Sequence, residues 1–393
     1  MQKLTDQERL RPWMGFAFFG FIMVFFITVC AYMQNAWGIP GLVLTELFLA
    51  GFSMLFIAIR KVKLKEAFPM KKISVREFFG CLILLIGGYL FSILSVMLMA
   101  VIFPDSYQEA VSLSGFLYDG KMNFLTTLLV VAILPGICEE TLHRGAILST
   151  FRSFKHDWVA IVLVGLFFSI NHLSILRGPF TFIVGMLLAY VVVKRNNILL
   201  SMMMHTMLNS FSVILSYFSF SQEDVEAAAE VGVTVQSLGV YMILGCAAPL
   251  LLVLGMQLIN PEGHKWTRYL IAGILAAVML FGGIILTVAG SAKAILTMNG
   301  TYEVTSEPFE TGYFKIEEER NTTIVVVMAN ADGYYHAALV DSEGNVACES
   351  DMGEGMFKTY TSTVLLDEGE YEIIITNDDD CIGQNPTYNI RVQ

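Results

Sequence analysis

The amino-acid sequence predicts an all-α polytopic membrane bundle of about nine transmembrane helices, followed by a small all-β sandwich domain. Hydrophobic residues make up 55% of the chain and charged residues only 15%. Several apolar runs reach the length of about 20 residues that a helix needs to cross a bilayer. From about residue 299 onward, β-branched and aromatic residues alternate with polar ones, which is the pattern typical of strands.

Nine apolar segments between residues 1 and 292 are predicted to span the membrane. Alternating sides from a cytoplasmic N-terminus leaves 17 Lys and Arg residues in the inner segments and only Lys121 and Arg177 outside. Cytoplasmic loops carry the excess of positive charge in membrane proteins, so we expect the N-terminus inside and the C-terminal domain outside. The predicted spans are 14–31, 42–59, 78–103, 124–143, 158–173, 180–193, 198–220, 238–259 and 269–289.

Residues 299–393 form the predicted sandwich. Turn signals such as Asp332-Gly333 and Glu368-Gly369 separate short alternating runs, as in small antiparallel folds. The predicted strands are 322–328, 334–340, 359–366, 370–376 and 388–392. Whether Cys348 and Cys381 form a disulfide stays open, because sequence separation does not determine the geometry of the pair.

Charge is distributed unevenly between the two predicted domains. Residues 1–292 carry 19 Lys and Arg against 16 Asp and Glu, whereas residues 293–393 carry 5 against 19. An acidic domain argues against nucleic acid and anionic lipid as its partners. We expect a multi-pass protein of a bacterial plasma membrane, whose sandwich either binds an extracytoplasmic ligand or is a passive cap.

Two adjacent carboxylates, Glu139 and Glu140, lie inside an otherwise apolar segment. A charge at membrane depth costs several kcal/mol, so such groups are expected to face a protein interior or a wet cavity and to have partners. On a helix Glu140 and Arg144 are four residues apart and can form an ion pair. Glu139 points about 100° away and is predicted to meet His143 or groups from another helix.

Two histidines and an asparagine in later apolar segments are the candidate partners of Glu139. His172 ends the fifth predicted span, and His205 lies in the seventh. His205 and Asn209 are four residues apart, so they share one helix face. Buried Glu, His and Asn side chains together are suited to hydrolysis, which needs an activated water and a donor near the developing oxyanion.

Three short motifs carry a resemblance to a known family. EExxxR at residues 139–144, FxxxH from Phe168 to His172 and HxxxN at 205–209 occur in this order on successive apolar segments. The set resembles the CPBP family of intramembrane proteases, the type II CAAX prenyl proteases and bacteriocin-processing (Abi) proteins. The resemblance covers residues 80–220 approximately and implies an all-helical core with a catalytic cavity inside the membrane.

The resemblance also implies roles for the site residues. Glu139 resembles the base that activates water with His172, His205 with Asn209 resembles the group that stabilises the oxyanion, and Glu140 with Arg144 resembles a structural pair. The family position before the arginine is commonly aromatic, whereas this chain has His143. The family is usually labelled metalloprotease, and the acidic sandwich is not part of its core.

A metal-bound alternative stays open at this stage. Glu139, His172 and His205 could supply the three protein ligands of a catalytic Zn²⁺ with an open fourth position. No HExxH motif is present, which excludes a zincin-type site.

The leading hypothesis is an intramembrane endopeptidase acting on a membrane-associated or lipidated peptide or protein that enters from the membrane or cytoplasmic side. A non-catalytic scaffold or immunity-type factor on the same fold is the alternative, and a proton-coupled transporter is the third class. One conflict follows from the predicted spans, because straight crossings would place Glu139 and His172 at different depths. Either the fourth span continues past Arg144, or the fifth is short and stops in the core.

Overall fold

The structure is a computed structural model that describes residues 2–103, 123–218, 233–263, 265–291, 295–352 and 357–393. The chain divides into two compact units. One unit comprises Met1–Met99, Met122–Ile214 and Tyr241–Gly283, and the other comprises Ala100–Lys121, Leu215–Val240 and Ile284–Gln393. The end of the seventh predicted span, at 219–220, lies outside the described residues.

Apart from short 3-10 turns, the described residues between 12 and 291 form ten helices. Their bounds are α1 Pro12–Trp37, α2 Ile39–Ile59, α3 Leu64–Ala67, α4 Val75–Ile102, α5 Phe124–Thr150, α6 Asp157–Asn171, α7 Gly178–Arg195, α8 Ile198–Phe218, α9 Val235–Ile259 and α10 Trp266–Ser291. In this described part, eight are long and apolar enough to cross a membrane, and α6 is a shorter apolar helix of 15 residues. The predicted multi-pass helical bundle is therefore confirmed.

Two predicted boundaries need correction. The fourth span does not end near residue 143 but continues to Thr150, because Arg144 is buried in protein instead of marking the membrane surface. The first span is also longer than predicted and runs to Trp37. The short α6 and the long α5 together remove the conflict in depth between Glu139 and His172.

Small residues allow two pairs of helices in the helical unit to approach closely. A Cβ on Gly185 of α7 would lie 3.0 Å from the Cα of Gly165 on α6 and 3.1 Å from the ring of Phe168. A Cβ on Gly136 of α5 would lie 3.0 Å from the backbone nitrogen of Thr206 on α8. These close approaches hold α6 against α7, and α5 against α8, at the level of the motif residues.

The described residues of the second unit form nine antiparallel strands in two sheets. Their bounds are β1 Leu296–Thr301, β2 Phe309–Glu310, β3 Phe314–Ile316, β4 Arg320–Ala329, β5 Tyr335–Asp341, β6 Val346–Met352, β7 Phe357–Leu366, β8 Gly369–Asn377 and β9 Thr387–Val392. One sheet has the order β1-β9-β4-β7, and the other has the order β2-β8-β5-β6 with β3 also paired to β8. The predicted all-β domain is confirmed.

Inward-facing side chains of both sheets form one buried core. Ile324 and Val326 of β4 are fully buried, and so are Leu339 of β5 and Ile373 of β8. The five predicted strands correspond to β4, β5, β7, β8 and β9. Cys348 and Cys381 are both free thiols; the hydroxyl of Tyr360 donates a hydrogen bond to Cys348 Sγ at 2.9 Å.

Candidate active site

Helix α5 carries the paired carboxylates on a backbone that departs from regular α-helical geometry. The turns Leu128–Ile133 and Thr141–Ile147 are π-helical, and Pro135 lies in the α-helical part between them. A proline removes one helical N–H donor, and π-helical turns occur frequently at functional sites. Seven consecutive residues from Thr141 to Ile147 are buried, so the helix continues through the protein interior beyond the two carboxylates.

Glu140 is fully buried and is bound by two cationic or polar partners through one oxygen. Its Oε1 accepts a hydrogen bond from Arg144 Nη1 at 2.7 Å, and it lies 3.0 Å from His205 Nδ1. Glu140 therefore fixes the orientation of the His205 imidazole relative to α5.

Arg144 is itself fully buried and has three kinds of contact. Besides Glu140, its Nη2 donates a hydrogen bond to the backbone carbonyl of Gly185 at 2.8 Å. The guanidinium carbon lies 4.6 Å from the centroid of the Phe168 ring, which is a cation–π distance. Arg144 thus connects the carboxylate helix α5 to α6 and α7.

The ring of Phe168 contacts three imidazoles. Its centroid lies 4.8 Å from that of His172, 5.4 Å from that of His205 and 5.2 Å from that of His143. Because His172 and His205 contact the same buried phenyl ring, the second and third motifs meet at one place. The Phe168 ring therefore limits how closely the His172 and His205 imidazoles approach each other.

The tautomer of His172 follows from its backbone contact. Its Nδ1 lies 2.8 Å from the carbonyl oxygen of Phe168, and a carbonyl can only accept a hydrogen bond. Nδ1 therefore carries the proton, and in the neutral imidazole Nε2 is left with a lone pair. His143 has the same arrangement with the backbone carbonyl of Glu139 at 2.9 Å, and its buried Nε2 has no hydrogen-bond partner.

Glu139 differs from its neighbour in having no hydrogen bond or ion pair from its carboxylate to the described residues, whereas Glu140 is bound through Oε1. The Oε2 atoms of both carboxylates are buried without a hydrogen-bond partner, although Glu139 as a whole is partly exposed. His143 does not meet this carboxylate, since its ring bonds the backbone of Glu139 instead. The Glu139 carboxylate interacts electrostatically with His172 and with Glu46 of helix α2.

Glu46 is a site residue that the motif analysis missed. It is only 5% exposed, its Oε2 has no hydrogen-bond partner, and it lies in the middle of the second span. The sequence does contain a signal for Glu46, because acidic residues in transmembrane helices are rare. Glu46 is the single carboxylate in the run Leu42-Val-Leu-Thr-Glu-Leu-Phe48.

Asn209 lies one turn after His205 and contacts the kinked part of α5. Its Nδ2 donates a hydrogen bond to the carbonyl oxygen of Val131 at 3.3 Å. Val131 is four residues before Pro135, so its carbonyl lacks its usual α-helical donor. The amide of Asn209 supplies a donor to that carbonyl from another helix.

A metal ion at this site would have to use the Nε2 atoms of the two histidines. The Nδ1 of His205 is engaged by Glu140, and the Nδ1 of His172 is engaged by a backbone carbonyl, which is the arrangement that leaves Nε2 available as a ligand. In the described part of the chain, no three His, Cys, Asp or Glu side chains form a group that could hold a metal. The Zn²⁺ site therefore stays a prediction.

These features define a multi-pass integral membrane protein with buried carboxylates and imidazoles gathered in its helical unit. Residues 121–211 match the family model of the Rce1-like proteins, described as type II CAAX prenyl endopeptidase Rce1-like. The matched stretch contains all three motifs, so the family resemblance is confirmed. At the family level the match supports a CAAX-type intramembrane protease. Comparison with curated proteins and with solved structures finds no match.

Proposed function

We propose that this protein is an intramembrane endopeptidase that hydrolyses a peptide bond in a membrane-associated or lipidated peptide. The observation that supports this most directly is the different environment of the two adjacent carboxylates. Glu140 is held by Arg144 and His205 through Oε1, whereas the Glu139 carboxylate has no hydrogen bond or ion pair to the described residues. A carboxylate without a structural partner, close to an imidazole with a basic nitrogen, is suited to activate water.

Glu139 and His172 act as the water-activating pair in this proposal. The Nε2 lone pair of His172 accepts a hydrogen bond from the water and orients it. Glu139 takes the proton as the water oxygen bonds to the carbonyl carbon of the substrate. When the C–N bond of the tetrahedral intermediate breaks, Glu139 returns this proton to the leaving nitrogen, so the enzyme is regenerated.

His205 and Asn209 stabilise the developing oxyanion in this proposal. With Nδ1 directed at the Glu140 carboxylate, His205 donates from Nε2 as an imidazolium in this proposal. The amide of Asn209 has two N–H groups, one of which is used by the carbonyl of Val131. We assign the second to the oxyanion.

The family match points to substrates of the CAAX type, in which a lipidated cysteine precedes the bond to be cut. The excess of positive charge in the inner segments supports a cytoplasmic N-terminus, with the substrate entering from the cytoplasmic or membrane side. An extracytoplasmic ligand of the β-sandwich remains a separate hypothesis. A catalytic Zn²⁺ at Glu139, His172 and His205 stays a prediction, and no step is assigned to it.

The test uses the full-length protein in liposomes and a quenched fluorescent peptide with a farnesylated CAAX sequence. Wild type is expected to cut it, and Glu139→Gln and His172→Ala are expected to lose activity by a factor of about 10² to 10⁴. The matched control is His143→Phe, which changes an imidazole against the same Phe168 ring and is expected to stay active. Equal turnover by wild type and Glu139→Gln would refute the mechanism, and a scaffold would cut no peptide at all.

Zinc dependence is tested in the same assay. Wild type is treated with a chelator and then supplied again with Zn²⁺. The mechanism through protein side chains predicts unchanged turnover, whereas loss and recovery of activity would establish the metal-bound alternative.

A further inference from the structure

A polar pocket of about 370 Å³ lies in the helical unit, away from the motif residues. It is formed by the N-terminal segment, the connection between α2 and α4, the residues after α5 and the end of α7. Four cationic side chains line it, namely Lys3, Lys65, Lys71 and Arg152, together with one carboxylate, that of Glu66. The pocket therefore carries an excess of positive charge.

Arg152 is the buried member of this group. It is only 3% exposed, and its Nη1 donates hydrogen bonds to the backbone carbonyl of Gln2 at 3.3 Å and to Asn196 Oδ1 at 2.9 Å. Its Nε is buried without an acceptor. Burial lowers the pKa of Arg152 to about 10, so the guanidinium is still charged at neutral pH. A buried guanidinium with an unused donor is suited to bind an anionic oxygen.

The wall of the pocket is fixed by hydrogen bonds that do not involve a ligand. The backbone N–H and the hydroxyl of Thr5 each donate to the Glu66 carboxylate at 2.8 Å. These bonds hold the pKa of Glu66 below its usual value, so it counts as one negative charge. Asn196 caps α7 in a left-handed conformation, and its Nδ2 donates to Gln2 Oε1 at 2.9 Å.

An apolar pocket of about 250 Å³ adjoins the basic one. The two pockets share Lys65 and Met70. The apolar pocket is otherwise lined by Met54, Leu64, Phe68, Thr141 and Met202. A ligand that filled both would combine an anionic group with a hydrocarbon chain.

We propose that these two pockets bind one anionic phospholipid, with its phosphate among the four cations and an acyl chain in the apolar pocket. Basic pockets between transmembrane helices on the cytoplasmic side are suited to acidic head groups, and each Lys or Arg near an anionic leaflet contributes about 1 kcal/mol of attraction. Thr141 follows Glu140 directly, and Met202 is on the same helix as His205. The acyl chain therefore contacts both helices that carry the buried Glu140 and His205 pair.

The test measures lipid retention by native mass spectrometry of the full-length protein. Protein released from nanodiscs of phosphatidylcholine alone, or of phosphatidylcholine mixed with phosphatidylglycerol, is compared across variants. Arg152→Gln and the double variant K65Q/K71Q change the pocket. Lys72→Gln removes one charge from the neighbouring residue, which does not line the pocket, and is the matched control.

The wild type is expected to retain phosphatidylglycerol in preference to phosphatidylcholine. K65Q/K71Q is expected to weaken retention on the order of tenfold or more, and Lys72→Gln by less than about fivefold. Lys65 and Lys71 are exposed, so this variant is informative even if Arg152→Gln does not fold. Equal loss in Lys72→Gln, or equal retention of both lipids, would overturn the proposal.

Inorganic phosphate is the competing occupant. It is added to the protein in detergent, and the retained phosphatidylglycerol is measured again. Continued retention at phosphate concentrations that match the lipid supports the phospholipid. Binding of phosphate to wild type but not to K65Q/K71Q, without any retained lipid, would show a site for free phosphate and refute the phospholipid proposal.

Discussion

Replacing the two adjacent carboxylates one at a time separates a structural charge from a chemical one. In Glu140→Gln the fully buried Arg144 loses its ionised partner and keeps the carbonyl of Gly185 as a neutral acceptor. Removing one partner of a buried ion pair costs about 3–5 kcal/mol. For a helical unit of this size we expect the thermal midpoint to fall on the order of 10 °C.

Glu139→Gln is expected to behave in the opposite way. It removes no hydrogen bond from the buried Oε2 and relieves the electrostatic repulsion with Glu46. The free energy of unfolding should therefore change by less than about 1 kcal/mol, while peptide cleavage falls by about 10² to 10⁴.

The assay combines thermal unfolding in detergent, followed by tryptophan fluorescence, with cleavage of the farnesylated peptide by the same preparations. Glu140→Gln should lose stability together with activity, and Glu139→Gln should lose activity alone. The reasoning would be refuted if Glu140→Gln unfolded like wild type, or if Glu139→Gln were the less stable of the two.

Four further predictions concern single positions. Glu46→Leu should lower kcat/KM about tenfold or more, because hydrocarbon replaces the polar neighbour of the Glu139 carboxylate, whereas Glu46→Gln keeps a polar side chain there and should retain activity. Equal rates for both variants would argue against this role. Asn209→Ala should lower the free energy of unfolding by about 1–3 kcal/mol, measured by chemical denaturation, because the carbonyl of Val131 loses the Asn209 amide as a donor. An unchanged denaturation midpoint would show that this hydrogen bond does not stabilise the fold. Gly136→Ala should reduce cleavage because the added Cβ pushes α5 away from Thr206 on α8, whereas in Gly51→Ala the Cβ meets nothing within 4 Å and cleavage should be unchanged. An equal loss of cleavage in both variants would show that the close packing at Gly136 is not required. Asp351 hydrogen-bonds His336 at 2.8 Å and raises the pKa of that imidazole above 6.5. This contact therefore stabilises the folded state at low pH, and its contribution is lost as pH rises through the raised pKa. Histidine hydrogen exchange should show a lower pKa of His336 in Asp351→Asn, and an unchanged pKa would disprove the coupling.

Part of the site could be predicted because its geometry is local. Glu140 and Arg144 lie one helical turn apart, so the sequence spacing alone brings them together. His205 and Asn209 share a face for the same reason. The contact between His205 and Glu140, in contrast, joins two helices that are far apart in the chain, and it was not predicted. His205 was expected to be a partner of Glu139, and Glu140 was expected to pair with Arg144.

Glu46 shows why the remainder could not be predicted from spacing. No other charged residue lies within a turn of it on α2, and its electrostatic partner is on α5. The end of α5 was mispredicted for a related reason. Arg144 resembles a residue at the membrane surface in a hydropathy profile, whereas its burial depends on Glu140, Gly185 and Phe168 from three helices.

The β domain shows the same limit. Strand β4 was predicted from alternating apolar residues, and its alternate residues are buried. Strand β6 was missed because most of its residues are exposed and polar. The short strands β2 and β3, of two and three residues, contain too few positions to show a period.

In the proposed mechanism, Glu139 activates a water molecule whose oxygen then enters the product. This step is tested most directly by cleavage of the farnesylated peptide in water enriched in ¹⁸O, with the products weighed by mass spectrometry. We expect wild type to place one ¹⁸O atom in the new carboxylate and Glu139→Gln to form no labelled product. Labelled product formed by Glu139→Gln at the wild-type rate would show that Glu139 does not activate the water.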